Sequence, residues 1–219
     1  TLDAVAAEER TESCETQLSL KGIATGDDFV AFGKAVTEAA PLDEFMQEGT
    51  VILLQDVDLS AFSQTCFVGQ AENPFTGTFD GNGKSVYGLT AALFGYTGKG
   101  ALVKNVTVYG SNHAADDKDT APKGGISNQA YGSFEGCVSD MTISAKWSVV
   151  GGIVGRLYAA GRITDCANYG AISSNWTGAD QNSPTYVAEV GGIAGSSSGP
   201  ITRSFNAGAV TVAQKGYGG

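Results

Sequence analysis

The sequence predicts an all-β chain folded as a parallel β-helix, a solenoid closed at its N-terminal end by a short capping α-helix. Two observations carry this. Glycine makes up 31 of the 219 residues and charged residues only 16 %, and a glycine inside a helix costs about 0.5–1 kcal/mol relative to alanine, so a helix bundle is disfavoured. Four glycine-rich segments also recur along the chain, AALFG (91–95), GGISN (124–128), GGIVG (151–155) and GGIAG (191–195), each followed by a strand-like block. Hydrophobic residues at 42 % suffice for a core and exclude wholesale disorder.

The second blocks set the register. ALVKNVTVYG (101–110), GSFEGCVSDM (132–141), GRITDCANYG (161–170) and PITRSFNAG (200–208) align Val103, Phe134, Ile163 and Ile201. Three positions later stand Val106, Cys137, Cys166 and Ser204, at intervals of 31, 29 and 38 residues. A period of that size, varied by insertion, means stacked units. Short β-branched runs broken by Gly, Asn or Ser every few residues leave no room for a helix in the unit, so three parallel strands per coil are expected. At about 4.8 Å per coil, four aligned coils with the strands before them span about 25 Å. Like residues then stack. Cys137 is expected above Cys166 as a buried free thiol, because parallel Cβ vectors one coil apart do not suit a disulfide. Asn168 above Asn206 is expected to form an amide ladder at a corner.

Residues 1–24 are polar and aperiodic and read as an arm or linker, leaving 25–219 as the β-helix domain. Within 27–39, Phe29, Phe32 and Val36 share one helical face with Ala35 and Ala39 beside them; Thr25 or Asp27 can serve as N-cap, and Pro41 stops the helix. Laid over the first coil, that helix protects its strand edges from pairing with another chain. VILLQDVDL (51–59) then reads as a strand, followed by the run FTGTFDGNGKSVYGL (75–89).

Charge is uneven. Residues 1–60 hold 13 acidic and 3 basic side chains, and residues 61–219 hold 10 of each, so the net −10 belongs to the N-terminal quarter. Such a balance does not suit nucleic acid, which needs a basic face. No run of about 18 apolar residues is present, so no transmembrane segment is expected.

Candidate sites are few. Trp147 lies ten residues after Cys137 and Trp176 ten after Cys166, which puts both tryptophans on adjacent coils at the exit of a strand. With Asn175 and Tyr186 in the neighbouring insertion they could form an aromatic platform for a glycan; alternatively the indoles cover the core. Asp116, Asp117 and Asp119 form an acidic loop that could hold Ca2+, although it lacks the glycine and distal glutamate of an EF-hand and otherwise reads as solvated. For a glycosidase or polysaccharide lyase the carboxylates to weigh are Asp56, Asp58, Asp80, Glu135, Asp140 and Asp165; two of them would have to converge across a cleft. Asp80 sits in Asp80-Gly81-Asn82-Gly83, the composition of a tight turn.

The residues GGIVG…ITDCANYGAI (151–172) and GGIAG…ITRSFNAGAV (191–210), with DVDLS (56–60), FTGTFDGNGKSVYGL and ALFGYTGKGALVKNVTVYG upstream, resemble the GLUG-motif bacterial surface proteins. The resemblance covers about residues 22–212; the 124–143 repeat departs from it, with GGISN for the motif and Ser139 for the asparagine. It implies a right-handed parallel β-helix on an exported, cell-surface, often multidomain bacterial protein. The same motif stands beside the peptidase domain of bacterial immunoglobulin A peptidases, where the repeats are not catalytic. The expectation is an adhesin-like module that has no chemistry of its own, needs no cofactor and binds a glycan or a host or cell-surface protein. A carbohydrate-active enzyme or a spacer within a larger surface protein is the alternative.

Overall fold

The computed structural model describes residues 20–62, 67–114, 119–145, 149–174 and 189–212. Among the described residues one helix is followed by short strands, nearly all paired in parallel.

Helix α1 spans Gly26–Thr37. Its first turn is closed by a capping box, in which the Asp28 amide donates to Thr25 Oγ1 (3.1 Å) and the Thr25 amide to Asp28 Oδ2 (2.9 Å). It ends two residues short of the predicted 39, because Ala39 turns left-handed (φ 53°) ahead of Pro41 and is exposed. Phe29, Phe32 and Val36 face the core as expected. The two phenylalanines meet Phe45, Phe67, Phe75 and Phe79 in edge-on and stacked contacts with centroids 5.7–6.4 Å apart. Ile23, near the end of the segment expected to be a loose arm, is fully buried and bridges Leu53.

Three larger, mainly parallel sheets surround the core, and a short parallel pair, Val150–Gly151 with Val190–Gly191, lies on the way from the second to the third. The first holds Thr50–Ile52, Thr78–Asp80, Leu102–Lys104, Ser133–Glu135, Ile163–Thr164 and Ile201–Thr202, with Met46–Gln47 added antiparallel at one edge. The second holds Val57–Asp58, Ser85–Leu89, Thr107–His113, Val138–Ala145, Ala167–Asn168 and Phe205–Asn206, while Ile172–Ser174 and Val210–Val212 extend it beside the far half of its longest strand. The third holds Phe94–Thr97, Ser127–Ala130, Val154–Leu157 and Ala194–Ser197. The chain visits first, second and third sheet in that order and returns to the first beside its previous strand. The stretch 51–59, expected as one strand, is two: Thr50–Ile52 in the first sheet and Val57–Asp58 in the second. The run 75–89 divides likewise, at a turn where the Asn82 amide donates to Asp80 Oδ1 (2.8 Å) and Asn82 and Gly83 are left-handed.

Register follows the aligned anchors. Val103, Phe134, Ile163 and Ile201 are direct partners, and Val51 and Phe79 continue the row. All but Ile201 are fully buried; Ile201, on the last strand, is 39 % exposed. Phe94, Ser127, Val154 and Ala194 form the equivalent row from the glycine-rich segments. In the last four coils the corner between the first and second sheets is made by one left-handed residue: Asn105, Gly136, Asp165 and Arg203, with φ of 47–60°. Gly, Asn and Asp adopt that conformation readily. Arg203 does not, and its guanidinium is held by Asp165 one strand away through two 2.7 Å hydrogen bonds.

Cys137 and Cys166 are adjacent, free and buried, the Cys137 amide donating to Cys166 Sγ at 3.4 Å. The asparagines that were expected to form a ladder are the last residues of their strands in the second sheet, just before the bends at Gly170 and Gly208. Asn168 Nδ2 donates to Asn206 Oδ1 (2.7 Å) and to Gly170 O (2.9 Å). Beneath these side chains lie the second glycines of the motif. A methyl group built on Gly152 would collide with Asn168, and one on Gly192 would lie 2.5 Å from Asn206 Cβ. The two conserved-looking blocks of each repeat are therefore one packing device, glycine under amide. At the next step Ser139 takes the asparagine's place above Gly125, and both Ser139 Oγ and Asn168 Oδ1 are buried without a hydrogen-bond partner. Ser139→Asn is expected to extend the ladder by donating to Asn168 Oδ1. Satisfying that acceptor should add about 1 kcal/mol, which a thermal melt would register as a rise of about 2–4 °C.

Candidate functional site

Alternation places the neighbours of each buried anchor on the outside. Flanking Phe134 are Ser133 and Glu135; flanking Ile163 are Arg162 and Thr164; Thr202 follows Ile201. On this outer face of the first sheet, at the corner where the chain arrives from the third, two depressions run together. One, of about 360 Å³, is lined by Ser133, Glu135, Ala160, Arg162 and Thr164 among others. The second, of about 430 Å³, shares Ala160, Arg162 and Thr164 and continues to Thr202 and Arg203. They cross four strands, Leu102–Lys104 to Ile201–Thr202, about 14 Å at the usual inter-strand spacing.

The groove is polar, with both donors and acceptors. Thr164 Oγ1 and Thr202 Oγ1 share a hydrogen bond of 3.2 Å. The paired Arg203 guanidinium holds the Asp165 carboxyl below the usual carboxylate range. The Arg162 and Glu135 side chains form no ion pair among the described residues, and both residues are exposed. A linear ligand with many hydroxyls would meet a guanidinium, a carboxylate and three hydroxyls in turn.

The outer face of the second sheet carries aromatic rings. Asp58, Tyr87, Tyr109 and Asp140 follow one another on successive strands. Tyr87 and Tyr109 stack with centroids 4.9 Å apart and planes 9° apart. Further along, exposed Tyr169 meets exposed Phe205 edge-on at 5.7 Å.

The expected platform is not among the described residues. Trp147, Asn175, Trp176 and Tyr186 lie outside the described residues, as do Asp116 and Asp117. The register of the two strands holds up to Ala145 opposite Ser174, each two residues before a tryptophan in sequence. Asp119 is described: its carboxylate accepts from the Ala121 amide (3.1 Å) and pairs with nearly buried Lys123 at 2.7 Å. Among the described residues no group of three or more His, Cys, Asp or Glu is arranged to hold a metal.

The carboxylates weighed for hydrolysis are dispersed. Burial raises Asp80, but hydrogen bonds from Asn82, Lys104 and Asn105 outweigh it and leave the carboxyl below its ordinary range. Asp56 accepts from the Ser85 amide and Asp58 from the Ser60 amide, both at 2.8 Å. Asp140 points outward from the second sheet and Glu135 into the groove. Arg162, Tyr87 and Tyr109 were not singled out from sequence, and Glu135 was weighed there only as a catalytic carboxylate. Alternation around Ile163 and Phe134 would have placed Arg162 and Glu135 outside, and Tyr109, Asp140 and Tyr169 each stand three positions after an aligned anchor.

No family model matches the chain, and no curated protein matches it. Among solved structures it is similar to a Bacteroides ovatus protein described as a putative immunoglobulin A1 protease, with a TM-score of 0.56 and 18 % identity over 87 % of this chain and 66 % of that one. The chain thus spans about two thirds of that protein's length, and at such identity the likeness is one of fold. Among the described residues no helix is long and apolar enough to cross a membrane.

Proposed function

We propose that this chain is a non-catalytic, cell-surface interaction module built on a right-handed parallel β-helix, and that it binds an extended glycan along the outer face of its first sheet. The β-helix reading is supported by the three sheets visited in constant order. Its right hand follows from the strong preference of parallel crossovers for that sense. Resemblance to the GLUG-motif proteins supports an exported setting within a larger protein. The fold likeness to a protein named for immunoglobulin A1 proteolysis is in keeping with repeats that accompany a peptidase domain.

The observation that carries the glycan reading is the continuous polar groove from Ser133 to Arg203. Sugar rings need alternating donors and acceptors along a line, and Arg162, Glu135, Thr164 and Thr202 supply them. A glycan array with purified protein is expected to give binders. Arg162→Ala should weaken them by about tenfold, the loss of one charged hydrogen bond. Because Arg162 is exposed, its melting temperature should stay unchanged. Binders unaffected by Arg162→Ala but lost in Trp147→Ala would move the site to the tryptophan pair, and an array without binders would remove the glycan reading.

A further inference from the structure

We propose that the outer face of the second sheet is a second recognition surface, for a cationic peptide segment whose two basic side chains seat against Asp58–Tyr87 at one end and Tyr109–Asp140 at the other. The placement does not involve the glycan groove. Asp58 pairs with Tyr87 and Tyr109 with Asp140, and the two tyrosines stack on each other across the register shift between Val86 and Leu89, so the order on successive strands is Asp58, Tyr87, Tyr109, Asp140. Since the two rings stack on each other, each has one face covered. The uncovered face of Tyr87 is turned to the strand of Asp58, and that of Tyr109 to the strand of Asp140. Each end is therefore a half-site with an aromatic face beside a carboxylate, the arrangement that attracts a guanidinium or ammonium group.

Charge points the same way. Of the residues in the strands of this sheet, the formally charged ones are Asp58 and Asp140, both acidic and both exposed. Neither is in an ion pair among the described residues. The Ser60 amide keeps Asp58 ionised further into acid than an ordinary aspartate. Tyr87 is 40 % exposed, so its ring is within a ligand's reach. The excess negative charge of residues 1–60, which include Asp58, would steer a basic partner towards the Asp58 end of the row. Neutral sugars could stack on the same rings, but they would leave both carboxylates without the opposite charge that this row offers.

Spacing makes the ligand specific. Three strand steps separate the two carboxylates, about 14 Å. An extended peptide advances about 3.3 Å per residue with alternate side chains on one side, so arginines four residues apart, about 13 Å, reach the two carboxylates, whereas adjacent arginines point to opposite sides.

The test uses fluorescent peptides on the intact chain. One has two arginines separated by three serines, a second has the arginines adjacent, and a third has glutamates in their place. The first is expected to bind, to bind at least tenfold more tightly than the second, and to weaken as salt rises; the third is expected not to bind. The isosteric pair Asp58→Asn with Asp140→Asn should lose at least tenfold, and Tyr87→Ala a smaller factor. Arg162→Ala, in the groove, should bind the peptide as the parent does, so failure of the glycan reading leaves this result untouched. Equal binding of the spaced and adjacent peptides would overturn the proposal, as would full binding by the double asparagine variant, no binding by the parent, or salt-independent sugar binding abolished by Tyr87→Ala.

Discussion

Phe79→Ala is expected to lower the unfolding free energy by about 3–5 kcal/mol, the range for truncating a fully buried phenylalanine. Phe79 is 0 % exposed and is the ring that ties the cap to the sheets. It packs edge-on against Phe29 (6.2 Å), stacks on Phe32 (6.1 Å) and meets Phe94 of the third sheet edge-on (5.4 Å). The strand Thr78–Asp80 cannot collapse into the void, because parallel partners hold it on both sides. Helix α1 would lose two of its aromatic contacts at once. Urea unfolding followed by circular dichroism measures the loss as a fall in midpoint. A change below about 1 kcal/mol would mean that the cap does not rest on this cluster.

Gly152→Ala is expected to cost about 1–3 kcal/mol, the range for forcing an added methyl into a packed core. Space, not backbone conformation, is the reason: Gly152 has no left-handed φ, but a Cβ there would collide with Gly192 O and with the Asn168 amide. Relief would have to come from the backbone of the next glycine pair or from the amide ladder, and neither can move alone. Gly83→Ala is the comparison. Gly83 has a left-handed φ of 69° and nothing within 4 Å of a built Cβ, so its cost is only that of placing alanine there, about 1 kcal/mol. If Gly152→Ala melts with the parent, the glycine-under-amide contact is absent.

Strand pairing was readable because a buried position accepts little besides an apolar side chain. Val103, Phe134, Ile163 and Ile201 recur on that account, and a small residue follows three places on in Cys137, Cys166 and Ser204. The breaks within 51–59 and 75–89 were not readable. An apolar run such as VILLQDVDL looks the same whether or not it turns a corner, and this corner is set by Leu53 pairing with distant Ile23. The contact between Gly152 and Asn168 joins two blocks that were both recognised, but their approach depends on the bend before Val154–Leu157 folding against the second sheet, which spacing alone does not give.

Binding surfaces were less legible than the core. An outward residue is free to vary, so no pattern marks Arg162 or Glu135 as lining a depression. The Tyr87–Tyr109 stack is further obscured by a register shift between Val86 and Leu89, where left-handed Gly88 and Gly110 break the spacing of the row.

The central claim is that like positions of successive repeats are direct parallel neighbours. Nuclear Overhauser contacts on isotope-labelled protein test it at Ile163. Cross-strand contacts from the Ile163 backbone to both Phe134 and Ile201, in the evenly spaced pattern of parallel strands, are the result expected. Close Hα–Hα pairs joining Ile163 to a strand that runs antiparallel to it, with neither Phe134 nor Ile201 beside it, would contradict the fold and every site derived from it.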